Sequence, residues 1–292
     1  MKLVINCDDL ALTYGTTNGI QRCLEFGLTK SASILVNGTA FDYTIKIIKN
    51  VNFSGVGMGI HLNLTDGPAF SKDLANNQGN YKHNFISILK ESVTNEKIID
   101  SINEDFEKQI QKLISTKITI DHIDSDKHVH MIPKVFEVTA ALAAKYKIPY
   151  IRISREPFHL VPSDKYYPFT GSANIIKKSV LDIFSRPNIN VAGRYKLKYT
   201  DSVYGILYSN RMLFTRFISA INDGLKRNYK NIEILTHPGF TRDKHDTKYI
   251  SQFMEKYSRE KNRSLEMKTL LNPKLKMFLK LKNVSLNKFS EL

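Results

Sequence analysis

Six short apolar runs recur along the chain, and helical patterns separate them. The runs occupy residues 3–6, 31–37, 56–64, 118–123, 149–154 and 231–237. Between them, apolar residues at intervals of three and four indicate amphipathic helices, as in residues 96–114 and in a segment that begins at Pro133. Strands that alternate with helices are typical of βα units, whose helices cover a largely parallel sheet. The pattern therefore predicts an α/β fold with mostly parallel strands.

The domain organisation follows from what separates these units. No internal repeat or Gly/Ser-rich linker interrupts the 292 residues, so we expect a single domain over residues 1–292. Segments 66–90 and 155–172 are polar or proline-rich, and we interpret them as loops at an active site. Residues 273–292 predict a closing helix, which begins at Pro273 after Asn272 as cap, and a final strand. The helix is also basic and amphipathic, like segments that lie on membranes, and the sequence leaves both interpretations open.

The formal net charge of +15 indicates either an anionic partner or a general bias of the composition toward lysine. Nucleic acid, an anionic membrane and an anionic substrate are the candidate partners. The chain contains no Trp, and its lysines and arginines are scattered, which counts against nucleic-acid binding. The sequence leaves homo-oligomer formation open.

The location is predicted from leader and cysteine patterns. The first residues carry no secretory pattern, and no apolar stretch is long enough to cross a bilayer. Cys7 and Cys23 have neither metal-finger nor disulfide spacing, which fits a reducing compartment. We expect a cytoplasmic protein, and peripheral contact with the inner face of the membrane stays open.

Ionisable side chains follow four of the predicted strands. They are Asp8 and Asp9 after the first, His61 in the third, His122, Asp124, Asp126, His128 and His130 in or after the fourth, and His237 after the last. The carboxyl ends of parallel strands meet at one edge of a sheet, so these groups are expected to form one site. A mixed set of Asp and His suits a divalent cation with open positions for water.

The spacing within these groups suggests which side chains share a face. In an extended segment Asp124, Asp126, His128 and His130 would all point to one side. Asp8 and Asp9 would point apart in a regular strand, but at its end one can bind metal while the other accepts a proton. A solvated turn for the acid pair, and a hydrogen-bonded core position for His61, are the alternatives.

Several segments together resemble one family. They are VINCDDLALTYGTTNGI, SASILVNGTAF, GVGMGIHLNLTDGPAF, DHIDSDKHVHMIP and EILTHPGF. In this order they resemble the YdjC-like carbohydrate deacetylases (the ChbG/HpnK group), over almost the whole chain and more weakly over residues 155–225. The resemblance implies a distorted (β/α) barrel. It also implies metal-dependent removal of an acetyl group from an N-acetylated amino sugar, which is either an oligosaccharide or a lipid-linked sugar; the net charge of +15 favours an anionic one.

The resemblance also implies roles for individual residues. Asp8 would be the general base, Asp9 and His61 metal ligands, and His237 the general acid that protonates the leaving amine as an imidazolium. Apart from the resemblance, Arg152 is predicted to orient Asp8 through an ion pair, with a purely structural role as the alternative.

The third metal ligand departs from the family pattern. Asp126 stands where the family normally has His, with His128 and His130 as alternates. Two carboxylates in the ligand set favour Mg²⁺, with Mn²⁺ or Zn²⁺ as the other candidates. A metal-dependent sugar-phosphate hydrolase or isomerase on a barrel is the alternative enzyme, although such sites usually recruit more acids than this chain offers. A basic nucleic-acid-binding protein is the non-enzyme alternative.

Overall fold

The fold is an eight-stranded sheet surrounded by ten helices within the part that the computed structural model describes, residues 1–51, 53, 55–159, 161 and 172–292. The strands are β1 (Lys2–Leu10), β2 (Ser31–Ile34), β3 (Gly57–Leu62), β4 (Ile120–Ser125), β5 (Tyr150–Ile151), β6 (Ser202–Tyr204), β7 (Asn231–Thr236) and β8 (Ser285–Asn287). The helices are α1 (Tyr14–Phe26), α2 (Phe41–Asn50), α3 (Phe85–Thr94), α4 (Glu96–Ser115), α5 (Pro133–Lys145), α6 (Ser172–Arg194), α7 (Phe214–Lys226), α8 (Gln252–Ser258), α9 (Lys261–Leu270) and α10 (Pro273–Leu281). Short 3₁₀ turns occupy residues 72–74, 126–131 and 289–291.

The strand order is that of a barrel. All pairs are parallel, in the order β5-β4-β3-β2-β1-β7-β6, with β8 beside the start of β1. Between β5 and β6 the regular ladder is replaced by an isolated parallel bridge of Tyr150 with Lys198 and by one further backbone bond. Ile151 N–H donates to Lys198 O, and Val203 N–H donates to Arg155 O, each over 2.9 Å. The predicted single α/β domain with a distorted barrel is therefore confirmed.

Local sequence explains where most elements begin and end. Helix α10 begins at Pro273, the Asn272 side chain accepts from Lys274 N–H over 2.9 Å, and Leu275 and Leu279 are buried. Strand β6 was not predicted, because three residues are too few to show a strand period. Every helix of the described residues is too short or too polar to cross a bilayer.

The two predicted loops differ from expectation in extent. Segment 66–90 turns helical at Phe85, because the Asn84 side chain caps α3 by accepting from Ser87 N–H over 3.0 Å. Segment 155–172 includes described residues only up to position 159, at 161 and at 172. Pro162 and Pro168 lie outside the described residues.

Candidate metal and catalytic site

A cavity of about 160 Å³ opens at the carboxyl edge of the sheet. Its lining carries three carboxylates, three imidazoles and two lysines. The lining residues are Asp8, Asp9, His61, Ser125, Asp126, Lys127, His128, Lys177, Ser209, His237, Phe253 and Tyr257. The predicted residues Asp8, Asp9, His61, Asp126, His128 and His237 all reach this cavity, whereas His130 and Arg152 lie behind it. The prediction that the strand ends form one site agrees with this arrangement.

Asp8 and Asp9 face the same cavity because β1 is irregular at its end. The pairing of β1 with β2 shifts register between Cys7 and Leu10, as in a β-bulge. Within the bulge, Asp9 has φ of 67°, in the left-handed region that non-glycine residues rarely adopt. The extra residue cancels the alternation of a regular strand, so two consecutive carboxylates serve one pocket.

Three side chains converge as a candidate ligand set. One ligand atom from each of Asp9, His61 and Asp126 lies within 4.8 Å of the other two, and all three residues are buried. His61 Nε2 lies 3.7 Å from Asp9 Oδ1. Two carboxylates and an imidazole are donors that suit a divalent cation.

Each of these side chains is held from behind by another residue. Arg263 Nη2 donates to Asp9 Oδ2 over 2.6 Å, and Thr65 Oγ1 donates to Asp126 Oδ2 over 2.9 Å. His61 Nδ1 pairs with Asp124 Oδ1 over 2.8 Å. The other oxygen of each carboxylate and Nε2 of His61 are then left to serve the shared position. Such outer contacts orient metal ligands and fix the imidazole tautomer, so the donor set fits a cation.

His61 also carries charge in the absence of a cation. Burial lowers its pKa, but the neighbouring carboxylates, Asp124 above all, outweigh burial and raise the pKa of His61 to about 9. A cation at this position must therefore displace a proton from the ring, which makes its binding pH-dependent.

Asp8, His61 and Asp124 form a second cluster that is equally compact. The oxygens of its two carboxylates already accept hydrogen bonds from other side chains. Arg152 Nη1 and Nη2 donate to the two Asp8 oxygens, each over 2.8 Å. Asp124 accepts from Ser33 Oγ over 2.8 Å besides its contact with His61. This cluster is therefore better suited to hold the first one in place than to bind a cation itself.

Arg152 is the centre of that supporting network. Its guanidinium is fully buried and contacts Glu233 (2.5 Å) and Asp124 (2.7 Å) as well as Asp8. Burial raises the pKa of Asp8, but the facing guanidinium outweighs it and holds that pKa well below its usual range. The predicted ion pair between Arg152 and Asp8 is present, and Asp8 stays ionised at every physiological pH.

The segment after β4 does not continue as a strand, so the expectation that Asp124, Asp126, His128 and His130 share one side is wrong. Residues 126–131 form 3₁₀ turns, and Lys127 and His128 have φ of 49° and 58°. The turn separates Asp124, which lies behind His61, from Asp126, which faces the cavity.

The two alternate ligands, His128 and His130, are separated by the same turn. His130 lies behind the cavity with both ring nitrogens engaged, by Ser125 Oγ (2.5 Å) and Arg152 O (2.9 Å). His128 reaches the cavity, and its Nδ1 pairs with Ser154 Oγ over 2.9 Å. Of the two, only His128 has a ring nitrogen left for the cavity.

His237 lies in the cavity as a neutral ring. Its backbone N–H donates to Glu266 over 2.5 Å, and among the described residues its Nδ1 has no hydrogen-bond partner. Burial lowers the pKa of His237 to about 4, against the raising effect of Asp9 and Asp8. The predicted imidazolium is therefore not the form of the free pocket.

Lys177, Arg263 and Tyr257 also belong to the site, although the sequence did not predict them. Lys177, from α6, lines the cavity, and within the described chain no carboxylate lies close enough for an ion pair. Arg263 donates to Asp9, and its guanidinium lies 4.2 Å from the ring centre of Tyr257. None of the three follows a strand or stands in a motif, so no local signal could have identified them.

Comparison with known proteins identifies relatives over the whole chain. The YdjC-like protein family matches residues 2–281. A carbohydrate deacetylase from Clostridium beijerinckii is 28% identical over 296 residues, which covers 100% of both chains. A chitooligosaccharide deacetylase from Proteus mirabilis is 24% identical over 239 residues, covering 82% of this chain and 81% of that protein.

A solved structure shares the fold. The crystal structure of a proposed cellobiose-phosphate cleavage protein from Enterococcus faecalis superimposes with a TM-score of 0.74. It covers 99% of this chain and 98% of its own, at 19% sequence identity.

Proposed function

The chain belongs to the YdjC-like protein family, and from this premise we propose that it is a hydrolase that removes the acetyl group from an N-acetylated amino sugar. Relatives that align with all or most of the chain are named carbohydrate and chitooligosaccharide deacetylases. The observation that carries the proposal is the convergence of Asp9, His61 and Asp126 beside Asp8 in one cavity.

Asp9, His61 and Asp126 would hold the cation. Two hard carboxylate donors favour Mg²⁺ or Mn²⁺ over Zn²⁺. A divalent cation there would polarise the acetyl carbonyl and acidify water. Lys127 lies 3.6 Å from Asp126 and also pairs with Asp66, so it partly offsets the charge of the ligand set.

Asp8 would act as the general base. Its carboxylate is ionised and held in one orientation by Arg152, so it can take a proton from water that attacks the carbonyl carbon. The low pKa makes Asp8 a weak base. A divalent cation would lower the pKa of water, so that even a weak base could remove its proton. Arg152 is a positioning residue in this scheme, since the cavity does not reach it.

His237 would carry the proton to the leaving amine. Its ring is neutral in the free pocket, so it would first take up the proton that Asp8 removed from water, and the negative charge that develops on the tetrahedral oxyanion favours that protonation. The proton then passes to nitrogen as the C–N bond breaks, which yields acetate and the free amine.

Mass spectrometry of a panel of N-acetylated sugars tests the proposal. The panel includes neutral chito-oligosaccharides, phosphorylated sugars and a lipid-linked amino sugar, each with Mg²⁺, with Mn²⁺ and with EDTA. We expect loss of one acetyl group in the presence of metal, no loss with EDTA, and loss at least about 100-fold slower with the Asp8→Asn variant.

Two results would contradict the proposal. Release of phosphate without acetate would favour the sugar-phosphate hydrolase instead. Undiminished deacetylation after exhaustive chelation would remove the cation from the reaction.

A further inference from the structure

Helix α10 has an apolar ridge that the core does not use. Leu275 and Leu279 face inward and are buried, whereas Met277 is 70% exposed and Leu281 is 78% exposed. Residues four apart lie on one face of a helix, so Met277 and Leu281 form a continuous ridge on the outside. Single exposed apolar side chains are common on protein surfaces, whereas contiguous ones mark an interaction surface.

The ridge borders a groove against α7. The groove has a volume of about 940 Å³, and α7 contributes Phe214 and Ile218 to its wall. Among the described residues, its lining contains lysines but no acid. The wall is therefore apolar and the rim is basic, a surface that we call the α7–α10 face.

The rim of the α7–α10 face carries concentrated positive charge. Segment 273–282 reads PKLKMFLKLK, with four lysines and no acid in ten positions. Lys274, Lys276, Lys280 and Lys282 are all exposed. Lysines flanking an apolar stripe favour an anionic surface with an apolar interior.

This charge pattern discriminates between occupants. A second copy of the chain would use the same patch in a two-fold dimer, which sets lysine against lysine. Nucleic acid would satisfy the lysines but leave Met277 and Leu281 in water. An anionic bilayer satisfies both features, because headgroups meet the lysines while the ridge enters the headgroup–acyl boundary.

We propose that the α7–α10 face docks on an anionic phospholipid bilayer. The helix lies on the surface and does not cross it. The proposal does not depend on the proposed deacetylase activity, because none of its residues lines the catalytic cavity.

Vesicle co-sedimentation of the full chain tests the proposal. The probes are vesicles of phosphatidylcholine alone and of phosphatidylcholine mixed with equal phosphatidylglycerol, at low and high salt. One variant, Met277→Ser/Leu281→Ser, removes the ridge, and another, Lys274→Gln/Lys280→Gln, removes charge from the rim.

Matched controls remove the same groups elsewhere. Val93 and Ile183 are 69% and 64% exposed, so Val93→Ser/Ile183→Ser controls for apolar loss. Lys46 and Lys97 are exposed, so Lys46→Gln/Lys97→Gln lowers the net charge equally.

We expect the wild-type chain to bind only the anionic vesicles, and less at high salt, because screening shortens the reach of the lysines. The rim variant should bind about 25-fold more weakly, at roughly fivefold per lysine. The ridge variant should bind at least tenfold more weakly, and both controls should bind like wild type.

Three results would overturn the proposal. They are no binding to anionic vesicles, equal loss in the rim variant and its lysine control, and a wild-type dimer that the ridge variant converts to monomer. The last outcome would assign the face to a second copy. Deacetylation of a soluble sugar by the ridge variant reports separately on the proposed function.

Discussion

Asp8 and Asp9 are adjacent carboxylates with different partners, so replacing each with asparagine should separate their roles. In Asp8→Asn, one of the two oxygens that Arg152 contacts at 2.8 Å becomes an amide donor. Losing one charge-assisted bond costs about 1–3 kcal/mol, or roughly 3–9 °C in Tm. Loss of the base should lower kcat by about 10²–10⁴-fold.

Asp9→Asn should act on the cation instead. Arg263 donates to Asp9 Oδ2 over 2.6 Å, so the asparagine keeps its oxygen there and turns its NH₂ group toward His61. A donor then faces the cation position, and the ligand set falls from three side chains to two. Metal affinity should fall by more than about 100-fold, because loss of a ligand costs more than loss of a residue that only orients a ligand, which costs up to about 100-fold.

Calorimetric titration of metal-free protein with Mn²⁺, followed by activity and thermal melts, provides the measurement. The Asp8→Asn variant should bind Mn²⁺ with an affinity within about tenfold of wild type. The reason is that Asp9, His61 and Asp126 stay in place and Asp124 still orients the His61 ring. Asp100→Asn, at an exposed acid, controls for loss of one charge. Equal losses of affinity in the Asp8 and Asp9 variants would refute the division of roles.

Three further predictions concern the third ligand, a glycine contact and a buried acid. Asp126→His should raise the ratio of Zn²⁺ to Mn²⁺ affinity, because an imidazole replaces a hard carboxylate; an unchanged ratio in competition titrations would exclude Asp126 as a ligand. Gly19→Ala should cost about 1–3 kcal/mol in urea unfolding and lower activity, because its Cβ would lie 2.4 Å from Gly239 Cα in the loop after His237. Gly193→Ala, where nothing lies within 4 Å, is the control and should not destabilise the protein; equal effects would contradict the clash. Burial raises the pKa of Glu156 from 4.5 to about 7, so the native state holds its proton longer and the free energy of unfolding falls by about 3 kcal/mol as pH rises through that window. Glu156→Gln should remove this contribution in urea melts across pH, and a difference between variant and wild type that is independent of pH would disprove it.

The alternation of strands with helices and the edge that carries the chemistry follow from local patterns. Short apolar runs and helical spacing are properties of neighbouring residues, and parallel βα units place all strand ends at one edge. For that reason Asp8, Asp9, His61 and His237 could be assigned to one site from the sequence. The start of α10 at Pro273 could be predicted in the same way, because its cap, Asn272, is the preceding residue.

The arrangement within the site depends on backbone irregularities that periodicity does not encode. The left-handed φ of Asp9 brings two consecutive carboxylates to one cavity, and the left-handed Lys127 and His128 end the alternation that the sequence suggested. Asp124 consequently supports His61 from behind, and His130 leaves the site.

Contacts across large sequence separations decide the rest. Arg152 reaches Asp8 over 144 positions, and Arg263 reaches Asp9 over 254. Lys177 enters the cavity from a helix in the region where the resemblance is weakest. A buried charge needs an opposite charge in space, not in sequence, so the residues that set the electrostatics of this site emerge only when the barrel has brought them together.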